Sequence, residues 1–180
     1  MALKIDAPEL RKPSGTTCAH LVQAGCGIYD KRPPVCRSFL CGWRLLPELD
    51  ASWRPDLCGV MLLRLSETQL PKNYRGTEPG WVLVILDGEK ALNLRLAKFA
   101  ARVVKRKAAL FLSAMTPRLP LNDQLEAPVA ANDMDAVLAI LRRTHAALLP
   151  AHTRKGLGRI WALYRAQVDR MRATMQQRRP

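Results

Sequence analysis

The sequence predicts an α+β fold: an irregular, cysteine-bearing N-terminal segment, a small antiparallel sheet with about three helices, and a long basic C-terminal helix. Three observations predict it. All five cysteines lie between Cys18 and Cys58, in a stretch crowded with turn formers. Two short apolar runs, Val60 to Leu65 and Trp81 to Leu86, have the length and β-branched content of strands. Beyond them, apolar residues recur every three to four positions, the helical period. Residues 1–58 form the cysteine segment, and residues 59–180 form an α+β body with a basic helical C-terminus. At 180 residues the two fit one compact domain.

In chain order, Pro13, Gly15, Gly25, Gly27, Pro33, Pro34, Gly42 and Pro47 leave no room for long regular elements before about Trp53. The strand runs follow, separated by a turn-rich connection from Pro71 to Gly80, and Asp87-Gly88 ends the second strand. Leu92, Leu94, Leu96, Phe99, Ala100 and Val103 place a helix from Glu89 to about Lys105. Ala108 to Ser113 is a third strand, and Pro117 to Asn122 a loop. Asn132 and Asp133 are capping residues ahead of a helix from about Met134 to Leu148, stopped by Pro150. The last helix begins near Thr153 or Gly156 and frays before Gln176. Its Leu157, Ile160, Trp161, Tyr164, Val168, Met171 and Met175 make one apolar stripe, with arginines on the opposite face. There is no internal repeat and no low-complexity run.

Composition bounds the function classes. A hydrophobic fraction of 48% supports a real core. No apolar run approaches the ~20 residues of a bilayer span. The opening residues Met1 to Asp6 lack the basic start, apolar stretch and cleavage site of a secretory signal, so a cytoplasmic location is expected. There thiols stay reduced, and an odd number of cysteines argues against a disulfide framework. The net charge is +14, and from residue 141 onward ten basic residues face Asp169 alone. That excess either draws a polyanion, such as nucleic acid, through Arg154, Lys155, Arg159, Arg165 and Arg172, or is a solvated arginine-rich surface.

Cys18, Cys26, Cys36 and Cys41 are the candidate metal ligands. Seven, nine and four residues separate them, with Gly25 and Gly27 flanking Cys26 and Gly42 following Cys41. Tetrahedral zinc takes four thiolates at about 2.3 Å, and iron–sulfur clusters are likewise held by four cysteines. A metal bound there would staple an otherwise irregular segment. No Cys-x-x-Cys pair is present. Such a centre is net anionic, and Lys31, Arg32 and Arg37 lie within the segment. Arg37, between two candidate ligands, is expected to lower thiol pKa values and offset the charge. Tyr29, Phe39 and Trp43 are expected to pack around the site and limit water. His20 is a further candidate, ligating in place of Cys18 or hydrogen-bonding nearby. Cys58 is either a buried small hydrophobe or a fifth ligand or redox thiol. His145 and His152 are expected to be isolated surface residues.

The run from Gly25 to Cys41 resembles the core of the bacterial cysteine-cluster family of YkgJ type, described as zinc- or iron-chelating. The family's hallmark is a cysteine, an Ile-Tyr pair, an Arg-Pro pair, then Cys-Arg and a further cysteine. Here these are Cys26, Ile28-Tyr29, Arg32-Pro33, Cys36-Arg37 and Cys41. The likeness covers about Lys12 to Trp53. Relatives usually carry further upstream cysteines, whereas Cys18 stands alone here, with Leu21 where some relatives have another. That departure disfavours a multi-metal cluster and leaves Cys18, Cys26, Cys36 and Cys41 as a complete set.

Three functions remain: a small metal-binding protein with a four-cysteine zinc or iron–sulfur site, a polyanion-binding accessory protein with structural zinc, and an iron–sulfur redox or modification enzyme. Against the second, aromatic content is only 6%, which leaves few residues for base stacking. Against the third, the chain has no glycine-rich nucleotide loop, no His-Glu-x-x-His and no Gly-x-Ser-x-Gly.

Overall fold

The computed structural model describes residues 3–13, 16–22, 25–75, 78–114 and 117–149. The chain opens with two small antiparallel hairpins. Strand β1 (Ile5–Ala7) pairs with β2 (Leu10–Lys12), and β3 (Leu21–Val22) with β4 (Gly25–Cys26). Single helical turns follow: α1 (Pro34–Arg37), α2 (Gly42–Leu45) and α3 (Pro55–Cys58). Proline opens α1 and α3, where its missing N–H costs nothing and its φ is already helical. Gly59 ends α3 at φ 71°, a left-handed conformation that glycine adopts without a Cβ clash. The content of glycine and proline thus gives the fragmented first third it implies.

The body is built on a four-stranded sheet, β5 (Val60–Arg64), β6 (Trp81–Ile85), β7 (Leu110–Ser113) and β8 (Arg118–Pro120), in that spatial order. Both edge pairs are antiparallel, and the central pair β6–β7 is parallel. Parallel neighbours need a crossover, supplied by α4 (Gly88–Ala91) and α5 (Leu94–Lys105). The single helix expected from Glu89 to Lys105 is therefore two. The break has a cause in Asn93, whose side chain accepts hydrogen bonds from Arg95 N (3.0 Å) and Leu96 N (3.2 Å) and so starts α5 afresh.

The expected loop from Pro117 to Asn122 is corrected. It holds the edge strand β8 and the start of α6 (Asn122–Ala130), which has Pro128 inside it. Leu119 and Leu121 are buried, and the Asn122 side chain accepts from Leu110 N and donates to the Ala108 carbonyl, both at 2.8 Å. Tertiary bonding of this kind outweighs local loop propensity. Helix α7 (Met134–Leu148) keeps its expected bounds, started by Asp133, whose carboxylate accepts from Ala136 N at 2.9 Å. The last helix, expected from Thr153 or Gly156, lies outside the described residues, as do Arg154, Lys155, Arg159, Arg165 and Arg172.

Helices α5, α6 and α7 bury one face of the sheet, with Leu83, Leu110 and Leu112 meeting Leu96, Leu125 and Leu141. Trp53 joins this core against Phe99, with ring centroids 5.3 Å apart. Leu49 and Cys58 join it as well. Before Gly42 the situation is different. Among the described residues of that segment the only buried side chain is Lys12. Its Nζ donates to the carbonyls of Pro13 (3.1 Å) and Thr16 (3.0 Å). No helix of the described residues is long and apolar enough to cross a membrane.

Candidate metal centre

Each candidate thiol sits on a short, locally bonded element. Cys18 precedes β3, its carbonyl accepting from Leu21 N at 3.0 Å. Cys26 lies in β4, in register with Leu21, whose N–H is the one bonded to the Cys18 carbonyl. His20 is fixed beside them through its carbonyl, which accepts from Gly27 N at 2.8 Å. Cys36 is in α1, and its N–H donates to the Pro33 carbonyl at 2.9 Å. Cys41 caps α2, its carbonyl accepting from Arg44 N at 2.8 Å and Leu45 N at 3.2 Å. Gly42 then packs α2 against the sheet. A Cβ there would lie 2.5 Å from Leu62 Cβ and 2.9 Å from the Trp81 ring, so only glycine lets α2 come this close. Cys41 is thereby anchored to the body.

All four of these thiols are half-buried, whereas Cys58 is buried, at 2% exposure. The Cys58 thiol is engaged by the carbonyls of Val60 (3.2 Å) and Trp53 (3.4 Å). Of the two readings for this residue, its surroundings are those of a core side chain. The donor chemistry of the other four suits a thiophilic metal. Their placement does not yet complete a site: among the described residues no three His, Cys, Asp or Glu side chains stand together as a metal ion would require.

Two expectations about the surroundings are corrected. Tyr29 and Phe39 do not close over the thiols; they are 60% and 45% exposed. The Tyr29 ring is instead covered by the Arg32 guanidinium, 3.6 Å from its centroid, a cation–π contact that persists at the surface. Phe39 falls in the short connection after α1, exposed together with Leu40. Trp43 alone of the three packs against the core. Arg37 Nε donates to the Arg32 carbonyl, so the side chain clasps the turn between Tyr29 and α1. Finally, His145 is not an isolated surface residue. It is half-buried against Gly88, and that burial pulls its pKa below the usual histidine value. His152 lies outside the described residues.

Lys12 carries no signal in the sequence. It reaches the carbonyls of Pro13 and Thr16, on the approach to Cys18, and no spacing or motif marks a lysine as buried. Comparison of the chain with family models, with curated proteins and with solved structures found no match.

Proposed function

We propose that this chain is a small metal-binding protein of the cysteine-cluster type, with Cys18, Cys26, Cys36 and Cys41 as ligands of one zinc ion or one iron–sulfur cluster. One observation carries the reading. The segment before Gly42 buries no hydrophobic side chain among its described residues, and it exposes Leu21, Val22, Tyr29, Phe39 and Leu40. A segment with no core of its own needs another source of order. Four half-buried thiols within its span supply one when they share a metal. Binding then draws the ligands together, with Cys41 as the fixed point against the sheet, Cys26 on β4 and Cys18 just ahead of β3. Because all four positions are taken by protein, a zinc held this way has no open coordination site for hydrolysis. Its role is structural.

The test is elemental analysis and a visible spectrum on full-length protein purified anaerobically without a metal-affinity tag. Stoichiometric zinc and no colour identify a structural centre; iron with acid-labile sulfide identifies a cluster. Cys36→Ser should lose the metal and much of the solubility. Metal-free protein with five free thiols would end the proposal. A second reading, polyanion binding through Arg154, Lys155, Arg159, Arg165 and Arg172, rests on the +14 net charge. Retention on heparin that collapses with modest salt supports it, and salt-insensitive behaviour sinks it.

A further inference from the structure

The sheet has two apolar faces, and the described helices cover one of them. On the other stand Met61 and Leu63 from β5, Val82 and Val84 from β6, and Phe111 and Ser113 from β7. Strand β6 reads Trp-Val-Leu-Val-Ile with every residue buried, the pattern of a strand covered on both sides rather than one with a face in water. The side chains that join Val82 and Val84 in their cluster come from the sheet itself and from Leu65, Leu70 and Tyr74 of the following connection. That connection lies toward one end, where Leu70 meets Gly80 close to Ala109. At the other end the register aligns Met61, Val84, Ser113 and Arg118 across the four strands. Ser113 is 2% exposed there, and its Oγ has no hydrogen-bond partner among the described residues.

The geometry points to the chain's own C-terminal stretch, residues 153–175, as the occupant of this second face. Position, reach and pattern agree. Helix α7 ends where the row of Met61, Val84 and Ser113 stands, because His145 packs on Gly88 just beyond β6; a Cβ on that glycine would meet the imidazole at 2.8 Å. Moving from the helical layer on one face to a layer on the other means crossing two spacings of about 10 Å each. The seven residues 150–156 that precede the stripe could span up to about 23 Å, at about 3.3 Å each if extended. As a helix, the stripe from Leu157 to Met171 is about 21 Å long, against about 17 Å for a five-residue strand. Leu157, Ile160, Trp161, Tyr164, Val168 and Met171 fall within about a third of the helical circumference, and Arg159 and Arg170 fall opposite, toward water.

The test uses the full chain and the emission of Trp161, read as the difference between the wild-type spectrum and that of Trp161→Phe. Docking predicts blue-shifted emission, acrylamide quenching several-fold weaker than for free tryptophan, and no change when the monomer is diluted. Phe111→Glu should restore free quenching while the helical circular dichroism of the body persists. If that variant does not fold, amide exchange over residues 157–171 of the wild type decides the matter, with protection expected when the stretch is docked and rapid exchange when it is free. Freely quenched Trp161 in the monomer overturns the assignment. So does shielding that disappears on dilution, which makes a second copy the occupant. So does shielding that arises only with added heparin, which makes the stripe part of a polyanion site.

Discussion

Replacing Gly42 by alanine probes the close approach that holds α2, and with it Cys41, against the sheet. An added Cβ would stand 2.5 Å from Leu62 Cβ, 2.9 Å from Trp81 Cζ3 and 3.3 Å from Leu62 Cδ1. Comfortable carbon contacts begin at about 3.5 Å, so α2 must back away by roughly 1 Å. Overpacking of this kind costs about 1–3 kcal/mol. Alanine's better helix propensity returns at most about 1 kcal/mol. Because the two nearest atoms are a Cβ and an indole carbon, neither a flexible tip, the net loss should be about 1–2 kcal/mol. For a chain of this size that is a fall in Tm of about 2–8 °C. The assay is thermal unfolding by circular dichroism beside Gly27→Ala, where an added Cβ would meet nothing closer than Val22 Cγ1 at 3.3 Å and the His20 carbonyl at 3.5 Å. Metal affinity should fall in parallel, since Cys41 rides on α2. An unchanged or raised Tm for Gly42→Ala would refute the packing of α2 on β5.

Other outcomes follow from the same geometry. Cys58→Ser keeps a hydroxyl donor near the Val60 and Trp53 carbonyls, so it should cost about 1–2 kcal/mol in urea titration and leave metal content intact. Loss of metal would make Cys58 a ligand. His145 gives the stability a pH dependence of defined sign. Its folded pKa is depressed by burial, so the unfolded chain binds the proton more readily. The stabilisation is complete above about pH 6.5, the unfolded value, and drains as pH falls through it toward the folded one. His145→Gln should flatten that slope in denaturation curves taken between about pH 7 and 5. A slope unchanged in the glutamine variant would assign the effect elsewhere. Asp50, Asp56 and Asp87 titrate in a separate, more acidic window. Their carboxylates are held low chiefly by hydrogen bonds from the Ser52 side chain, the Arg54 side chain and the Lys90 backbone respectively.

The body was largely legible in the sequence because its signals are local. Val60 and Trp81 start their strands as the apolar runs imply, and Met134–Leu148 follows from the Asp133 cap and one helical stripe. What was missed depends on distant partners. Helix α6 contains a proline and is held by Asn122 bonding back to β7, twelve residues away and more, which no local window contains. The parallel pairing of β6 with β7 was equally invisible, since two apolar runs carry no mark of relative direction. At the cysteines, spacing named four thiols, and burial separates Cys58 from them. Tyr29 and Phe39 stand exposed rather than packed, because aromatic identity says nothing about which way a short turn presents its rings.

The order of the strands in space, β5-β6-β7-β8, is also their order along the chain. During synthesis each new strand meets a neighbour that has already left the ribosome, and none waits for a partner still to be made. Strand β6, the most apolar, has its first edge covered by β5 at once and its second as soon as α5 delivers β7. Such a sheet assembles vectorially with little exposure of bare edges, the species that aggregates when pairing must span a whole chain.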